Sequence, residues 1–464
     1  MSNVGFAQNE ANIWYFGSNA GLDFNSGTPV PLLDGALNTD EGCATISDNN
    51  GSLLFYTDGI TVWNRNHVVM LNGTGLNGHP SSTHSAIIVP QPNNPDIYYI
   101  FTVDALEPED TVDPSLNKGL QYSEVDMSLD GGLGGITSNK NIIMNQPTTE
   151  KVTAVRSSSF DGYWVVSHKW NSNEFIAHIV SNVGVGVIPV ISSVGTVVND
   201  VPLFPGFAVP AGRGIGQIKI SPDGTKLAVA RSKGLSEAQL FDFDAATGIV
   251  SNPITLVDFN PDNEEVYGIE FSPNSKVLYV SITWNGVYQY DLNAGSPVDI
   301  INSQLIVTPL PRPYNALQLA TDGKIYVAKS GDQVIDVIDN PNVVGTGCNY
   351  QFEHLSLGGR TSQIGLPPFI QSFFIVGFEY ENLCLGETTE FKANISQAYD
   401  ALTWDYGDGN TSNVENPSHT YLSAGDYDVT LSVTSGGQTS TETKNSNHIR
   451  AANCFTATKH VNLR

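Results

Sequence analysis

The chain has 464 residues, and its 21 Lys plus Arg stand against 47 Asp plus Glu, a balance of −26 with only 15% charged residues overall. So acidic a surface repels a phosphate backbone and anionic lipid, which argues against nucleic acid as a partner, and no run approaches the ~20 apolar residues of a membrane-spanning helix. The length exceeds one ordinary domain, and the abundance of Gly, Asn, Ser and Thr predicts turns and strands with little helix.

The N-terminal residues 1–12 lack the basic and long apolar regions of a signal peptide, yet Met1 to Gln8 run into small and polar residues like a cleavage site. They read either as the stump of a signal peptide or as an ordinary disordered start. Ile13-Trp14-Tyr15-Phe16-Gly17 then forms a short aromatic strand, without the upstream strand that later repeats possess. The next repeat is complete: Cys43 to Ile46, a turn at Asp48 to Gly51, Leu53 to Thr57, a tight turn at Asp58-Gly59, and Thr61 to Asn64. Strand, turn, strand, turn, strand is an antiparallel meander. A third copy begins at Ala86 and is interrupted by residues 104–119, whose carboxylates and prolines read as an exposed loop insertion. A fourth runs from Val152 to Ile179.

Three copies share a turn signature: Ser221-Pro222-Asp223-Gly224 recurs as Ser272-Pro273-Asn274-Ser275 and as Thr321-Asp322-Gly323, a period near 50. Pro222 presets φ, Asp223 can bond its own backbone, and Gly224 accepts positive φ. A fourth strand is expected after each third one, at Ile254 to Val257, Val298 to Ile301 and Tyr350 to Leu355. About seven repeats of four antiparallel strands describe a β-propeller spanning residues 13–376. The run near Pro368 to Ser372 has no repeat of its own and is expected to pair with the blade of Trp14 to Gly17, closing the ring and removing exposed edges.

Beyond Phe374 the pattern changes. Trp404-Asp405-Tyr406-Gly407-Asp408-Gly409, Asn416-Pro417-Ser418-His419-Thr420-Tyr421 and Gly425-Asp426-Tyr427 leading to Val433 resemble a PKD domain, an immunoglobulin-like β-sandwich over residues 377–443. The residues agree: Tyr427, Val429, Leu431 and Val433 alternate as one buried face, and Trp404 is large enough to fill the space between two sheets. Asp408-Gly409 is the expected hairpin turn. The fold class is therefore all-β, a propeller of about seven blades followed by this sandwich.

Trp14 to Gly17, Ala20 to Phe24, Asp40 to Asp48, Leu54 to Gly59 and Val125 to Gly132 look like the secreted propeller-plus-PKD proteins of gliding Bacteroidota. That resemblance implies export by the type IX secretion machinery, a signal peptide in front and a C-terminal sorting domain behind, neither of which the sequence displays. Residues 444–464 depart from a PKD ending and read as a truncation, a reading-frame artefact or a disordered end.

Few residues suggest chemistry. His67, His79 and His84 lack metal spacing, Ser81 to Ser85 lacks a nucleophile elbow, and Gly131 to Gly135 lacks a P-loop lysine. Weak calcium candidates are Asp405 and Asp408, implied by the PKD resemblance, and Asp126 and Asp130, beside the acidic insertion with Glu107, Glu109, Asp110 and Asp113; for all of them turn or solvated-loop roles compete with ligation. Asp110-Thr111-Val112 matches the short O-glycosylation pattern of Bacteroidota. Trp63, Trp170 and Trp284 could stack on sugars, although Trp63 and Trp284 sit where blade packing is expected to bury them. Of the four cysteines, Cys43 and Cys348 could form a bridge, while Cys384 and Cys454 have no suggested partner. No other cofactor is implied. The expected function is a secreted or surface-exposed interaction protein, with the propeller face binding a glycan or protein and the PKD domain as spacer. The alternative is a propeller hydrolase or lyase of the lactonase kind, acting at the central channel.

Overall fold

The turn signature and the strands it joins build a ring of seven antiparallel sheets, seen in a computed structural model of the chain. The structure describes residues 9–106, 113, 115–199, 201–204, 207–209, 214–232, 236–259, 265–374, 376–381, 385–395, 399, 401–435, 438–444 and 450–451. Blade 1 has three strands, Ile13–Phe16, Ala20–Asp23 and Val30–Leu32. Blade 2 runs from Ala44–Ser47 to Val69–Thr74, and blade 3 is built on Ala86–Pro90, Ile97–Val103 and Leu120–Asp126. A short parallel pairing of Leu71 with Gly135 joins their outer edges. The innermost strands of blades 4 to 7 are Thr148–Arg156, Ile218–Ile220, Glu265–Phe271 and Tyr314–Leu319.

The turns do what their residues dictate. Asp223 Oδ1 accepts the Thr225 N–H at 3.0 Å, and Gly224 takes φ +70°. In the next blade Ser275 occupies the glycine's place at φ +60°, and its hydroxyl accepts the Asp223 N–H at 3.1 Å, so one blade's turn buttresses its neighbour's. The strand leaving this turn carries Leu227, Ala228, Val229 and Ala230, all buried. Adjacent blades cover both faces of a middle strand, which therefore reads as a continuous apolar run rather than a strict alternation.

Ring closure differs from the expectation. Residues 368–372 lie in no strand, and Gln371–Phe374 forms a 3-10 turn beside blade 4, where Ser372 Oγ accepts the Arg156 N–H at 3.0 Å. The closing segment is earlier. Thr361 bridges Ser18, the Ile364 N–H donates to Asp40 O at 2.9 Å, and Ile364 O accepts from Ala316 N at 3.1 Å. These contacts run from blade 7 to the approach of blade 2, the place of blade 1's missing innermost strand. The approach is so close that a Cβ at Gly365 would stand 1.9 Å from the Glu41 carbonyl oxygen, which explains an irregular run in place of a regular strand.

Two further expectations are corrected. The segment containing Val298 to Ile301 is a helix, Pro297–Asn302, and the fourth strand of blade 6 is the short Leu305–Ile306. Ser296 and Asp299 form a reciprocal capping box with proline at the helix start, and this local chemistry overrides a β-branched run. Cys43 and Cys348 are both buried and both free, so no bridge joins them. Cys384 and Cys454 lie outside the described residues.

The C-terminal unit is a two-sheet sandwich. One sheet holds Val376–Glu381, Thr388–Ile395 and Ser418–Thr420, and the other Thr411–Ser412, Ala401–Asp405, Val429–Ser435 and Gln438–Lys444. Trp404 is 0% exposed between Phe378 and Phe391, with its indole N–H donating to Val414 O at 3.0 Å. Val429, Leu431 and Val433 are buried as expected, while Tyr427 is only half-buried. Past Lys444, Arg450–Ala451 pair with Gly425–Asp426.

Candidate functional site

Among the described residues of the propeller, polar side chains gather along the channel wall and in a cleft on one face. Along the innermost strands a polar residue stands between apolar ones: Lys219 between Ile218 and Ile220, Glu270 between Ile269 and Phe271, Gln318 between Leu317 and Leu319. The period-two geometry puts the apolar neighbours on the opposite face from each polar side chain. Lys219 pairs with Glu270 at 3.0 Å and donates to Gln318, while Glu270 accepts the Phe271 and Leu319 N–H groups. Burial pushes Glu270 up and Lys219 down, each opposing the other's shift.

Nearer the ends where these strands begin, Glu150 accepts from the Thr83 N–H, the Thr83 hydroxyl and the Leu106 N–H at 2.9 to 3.1 Å. Lys151 donates to the carbonyls of Gly214, Ile215 and Gly216. The Tyr267 hydroxyl donates to Glu41 at 2.9 Å. His84 Nδ1 accepts the Val152 N–H at 3.3 Å, which places its proton on Nε2, and that atom is buried with no hydrogen-bond partner among the described residues. Burial, reinforced by Lys219 and Lys151, holds His84 well below the usual histidine range and so neutral. His84, Glu150, Lys151 and Tyr267 thus converge, but each is buried, and Glu150 and Lys151 spend their capacity on the fold.

The cleft has a volume of about 560 Å³ and lies where three turns from blades 1, 2 and 7 meet the segment before blade 1. Its wall is a relay of carboxamides. Asn12 Nδ2 donates to Asn25 Oδ1 at 3.0 Å and to Asn9 Oδ1 at 3.3 Å, and Asn25 Nδ2 donates to Asp23 Oδ1 at 2.8 Å and to Gly51 O at 2.9 Å. Asn12 Oδ1 is buried with no partner among the described residues. Asp322 closes the far side, its carboxylate accepting from the Tyr326 hydroxyl at 2.7 Å. Burial pushes Asp322 up against the hydrogen bonds that hold it down.

The candidates from sequence are scattered. Asp405 accepts the Gly407 N–H, Asp408 accepts the Asn410 N–H and pairs with His419 at 2.7 Å, and Asp126 accepts from the Ser128 N–H and hydroxyl. Asp130 sits at φ +50° in the turn that follows. Among the described residues no group of three or more His, Cys, Asp or Glu is placed to hold a metal ion. His67 meets Tyr56 and Asp34, while His79 accepts the Ser81 N–H and its own N–H donates to Ser85 Oγ at 3.2 Å. The Ser85 hydroxyl donates to Asp58 O at 2.7 Å, a turn contact. Gly132 and Gly134 take positive φ in the turn between two strands of blade 3, and Asp113 accepts from Ser115. Glu107, Glu109 and the Asp110 to Val112 pattern lie outside the described residues.

Trp63 stacks on Tyr56, and Trp170 is buried with Leu106 and Val198. Trp284 is 64% exposed at φ +65°, against the expectation of burial, because it occupies the turn between two strands rather than a strand. Sequence reasoning missed Asn9 and Asn12, which it placed in the N-terminal remnant although Asn9–Ala11 forms a 3-10 turn and Asn12 bonds Asn25. It also missed Asn25 and Asn50, which read as strand-end and turn residues. The repeated polar residue inside apolar inner strands was a usable signal for Lys219, Glu270 and Gln318.

A PKD domain family profile matches residues 376–449. The sandwich is similar to the PKD1 domain of the Vibrio cholerae metalloprotease PrtV, with 29% identity over 16% of this chain and 93% of that one, TM-score 0.15. It is also similar to the PKD1 domain of Vibrio anguillarum Epp, with 26% identity over 17% and 94% of the two chains, TM-score 0.15. Kluyveromyces lactis Hsv2 aligns with 8% identity over 71% of this chain and 90% of its own, TM-score 0.37. No curated protein matches the chain.

Proposed function

We propose that the chain is a secreted or surface-exposed interaction protein, in which the propeller binds a glycan or protein partner at the blade 1, 2 and 7 cleft and the PKD domain serves as spacer or contact module. The observation that carries this reading is the contrast between the two polar features. The cleft is open and concave, with exposed Asn50 in its lining, while the channel groups are buried and Glu150 and Lys151 are already spent on the fold. The PKD domain supports an extracellular setting, and no described helix is long and apolar enough to cross a membrane. The resemblance to exported proteins of gliding Bacteroidota extends the proposal to passage through type IX secretion machinery. Calcium at Asp405, Asp408, Asp126 or Asp130 is retained only as a structural accessory of the exposed turns.

The test is retention of the full chain on immobilised surface polysaccharides and surface protein fractions, with antibody labelling of intact cells. Saturable retention that Asn50→Ala weakens, together with labelling without lysis, supports the reading. Labelling only after lysis, or retention indifferent to the cleft, contradicts it. A second reading is favoured by the convergence of His84, Glu150, Lys151 and Tyr267, a lactonase-like or lyase-like activity at the channel. It requires turnover of a lactone or uronide that His84→Ala abolishes.

A further inference from the structure

The geometry points to a neutral carbohydrate chain as the ligand of the cleft, an inference that rests on the binding reading above and narrows it to one chemical class. The cleft falls inside the ~300–1,000 Å³ range typical of small-molecule sites. Its polar lining is dominated by carboxamides, from Asn9, Asn12, Asn25 and Asn50. The carboxamides of Asn9, Asn12 and Asn25 are held by one another and by Asn49, Asp23 and Gly51. That of Asn50, on an exposed turn, offers a donor and an acceptor in one plane, which matches the paired donor and acceptor character of vicinal hydroxyls. The Asn12, Asn25 and Asp23 relay fixes the direction of the held groups, each amide nitrogen donating along the wall.

Charge decides against the main rivals. The lining carries the carboxylates Asp23 and Asp322 and, among the described residues, no Lys, Arg or His, in a chain with a balance of −26. A phosphate, sulfate or uronate would enter a negative, unpaired environment. A divalent cation would find only two carboxylates, both engaged: Asp23 by Asn25 and Asp322 by Tyr326. Of the apolar lining residues Leu53 is partly exposed, while Ile13 and Phe24 belong to the buried core.

Titration calorimetry of the full chain against cellotetraose, xylotetraose, N-acetylchitotetraose and the anionic tetragalacturonate tests this. At least one neutral tetrasaccharide should bind saturably and tetragalacturonate should not. Asn50→Ala, on an exposed turn, and the double change Asn9→Ala with Asn50→Ala should weaken that binding tenfold or more with little change in melting temperature. Asn12→Leu, which breaks the relay that orients Asn9 and Asn25, should weaken it further, and the exposed Asn50 variant keeps the test valid if the buried one fails to fold. Absence of binding by every neutral probe at millimolar concentration, equal binding of tetragalacturonate, or unchanged affinity in the cleft variants overturns the inference. If protein partners are retained through the cleft while no neutral sugar binds, the carbohydrate assignment falls and the binding reading survives.

Discussion

Trp14 and Phe369, drawn from opposite ends of the propeller sequence, hold their rings 5.8 Å apart, and the Trp14 indole also meets Tyr326 of blade 7 edge-on at 5.6 Å. The incomplete first blade is thus tied by packing to the last blade and to the segment that follows it. Trp14 is wholly buried, so Trp14→Ala should destabilise the propeller by about 3–5 kcal/mol through lost contacts and a residual cavity. Calorimetry should show the propeller transition falling while that of the sandwich stays in place. An unaltered propeller transition would mean that the ring closes without this contact.

The sandwich has its own core around Trp404, which stands 5.0 Å from Phe378 and 5.4 Å from Phe391 by ring centroids. Trp404→Ala should cost about 3–5 kcal/mol, a large share of a small domain's stability. The smaller calorimetric transition should drop steeply or vanish, with the propeller transition unmoved. Retention of both transitions would remove Trp404 from the core.

Glu10 supplies a pH dependence. Burial lifts its carboxyl from 4.5 to about 7, only partly offset by a backbone hydrogen bond and reinforced by Asp48. The folded value lies above the unfolded one, so the unfolded chain loses its proton first as pH rises. Stability is unaffected below about 4.5, declines between there and about 7, and remains lowered above. Glu10→Gln should therefore raise the melting temperature at pH 8 and leave it nearly unchanged at pH 4. An equal shift at both pH values would show that the substitution acts through packing instead.

The blades were legible because their turns repeat one chemistry: Asp223, Asn274 and Asp322 each accept a backbone N–H two residues on. Trp404 was legible as a core residue because it lies on a strand and is followed by an unmistakable hairpin turn. What escaped was structure set by local or long-range exceptions. The Ser296 and Asp299 capping box turns a β-branched run into helix. Residues 361–366 close the ring through single hydrogen bonds and a glycine pressed on Glu41, with no alternation to betray them. The cleft was illegible because Asn12, Asn25, Asn50 and Asp322 come from four separate segments, and only closure of the ring brings blade 7 beside blades 1 and 2.

The central claim is that this propeller recognises its ligand at the cleft and not at the channel. Surface-plasmon binding of the full chain to its retained polysaccharide or protein partner, comparing Asn9→Ala with Asn50→Ala against His84→Ala, tests it most directly. The account predicts at least a tenfold loss of affinity for the cleft variant and wild-type affinity for the channel variant. Loss of affinity in His84→Ala with the cleft variant unaffected would contradict it.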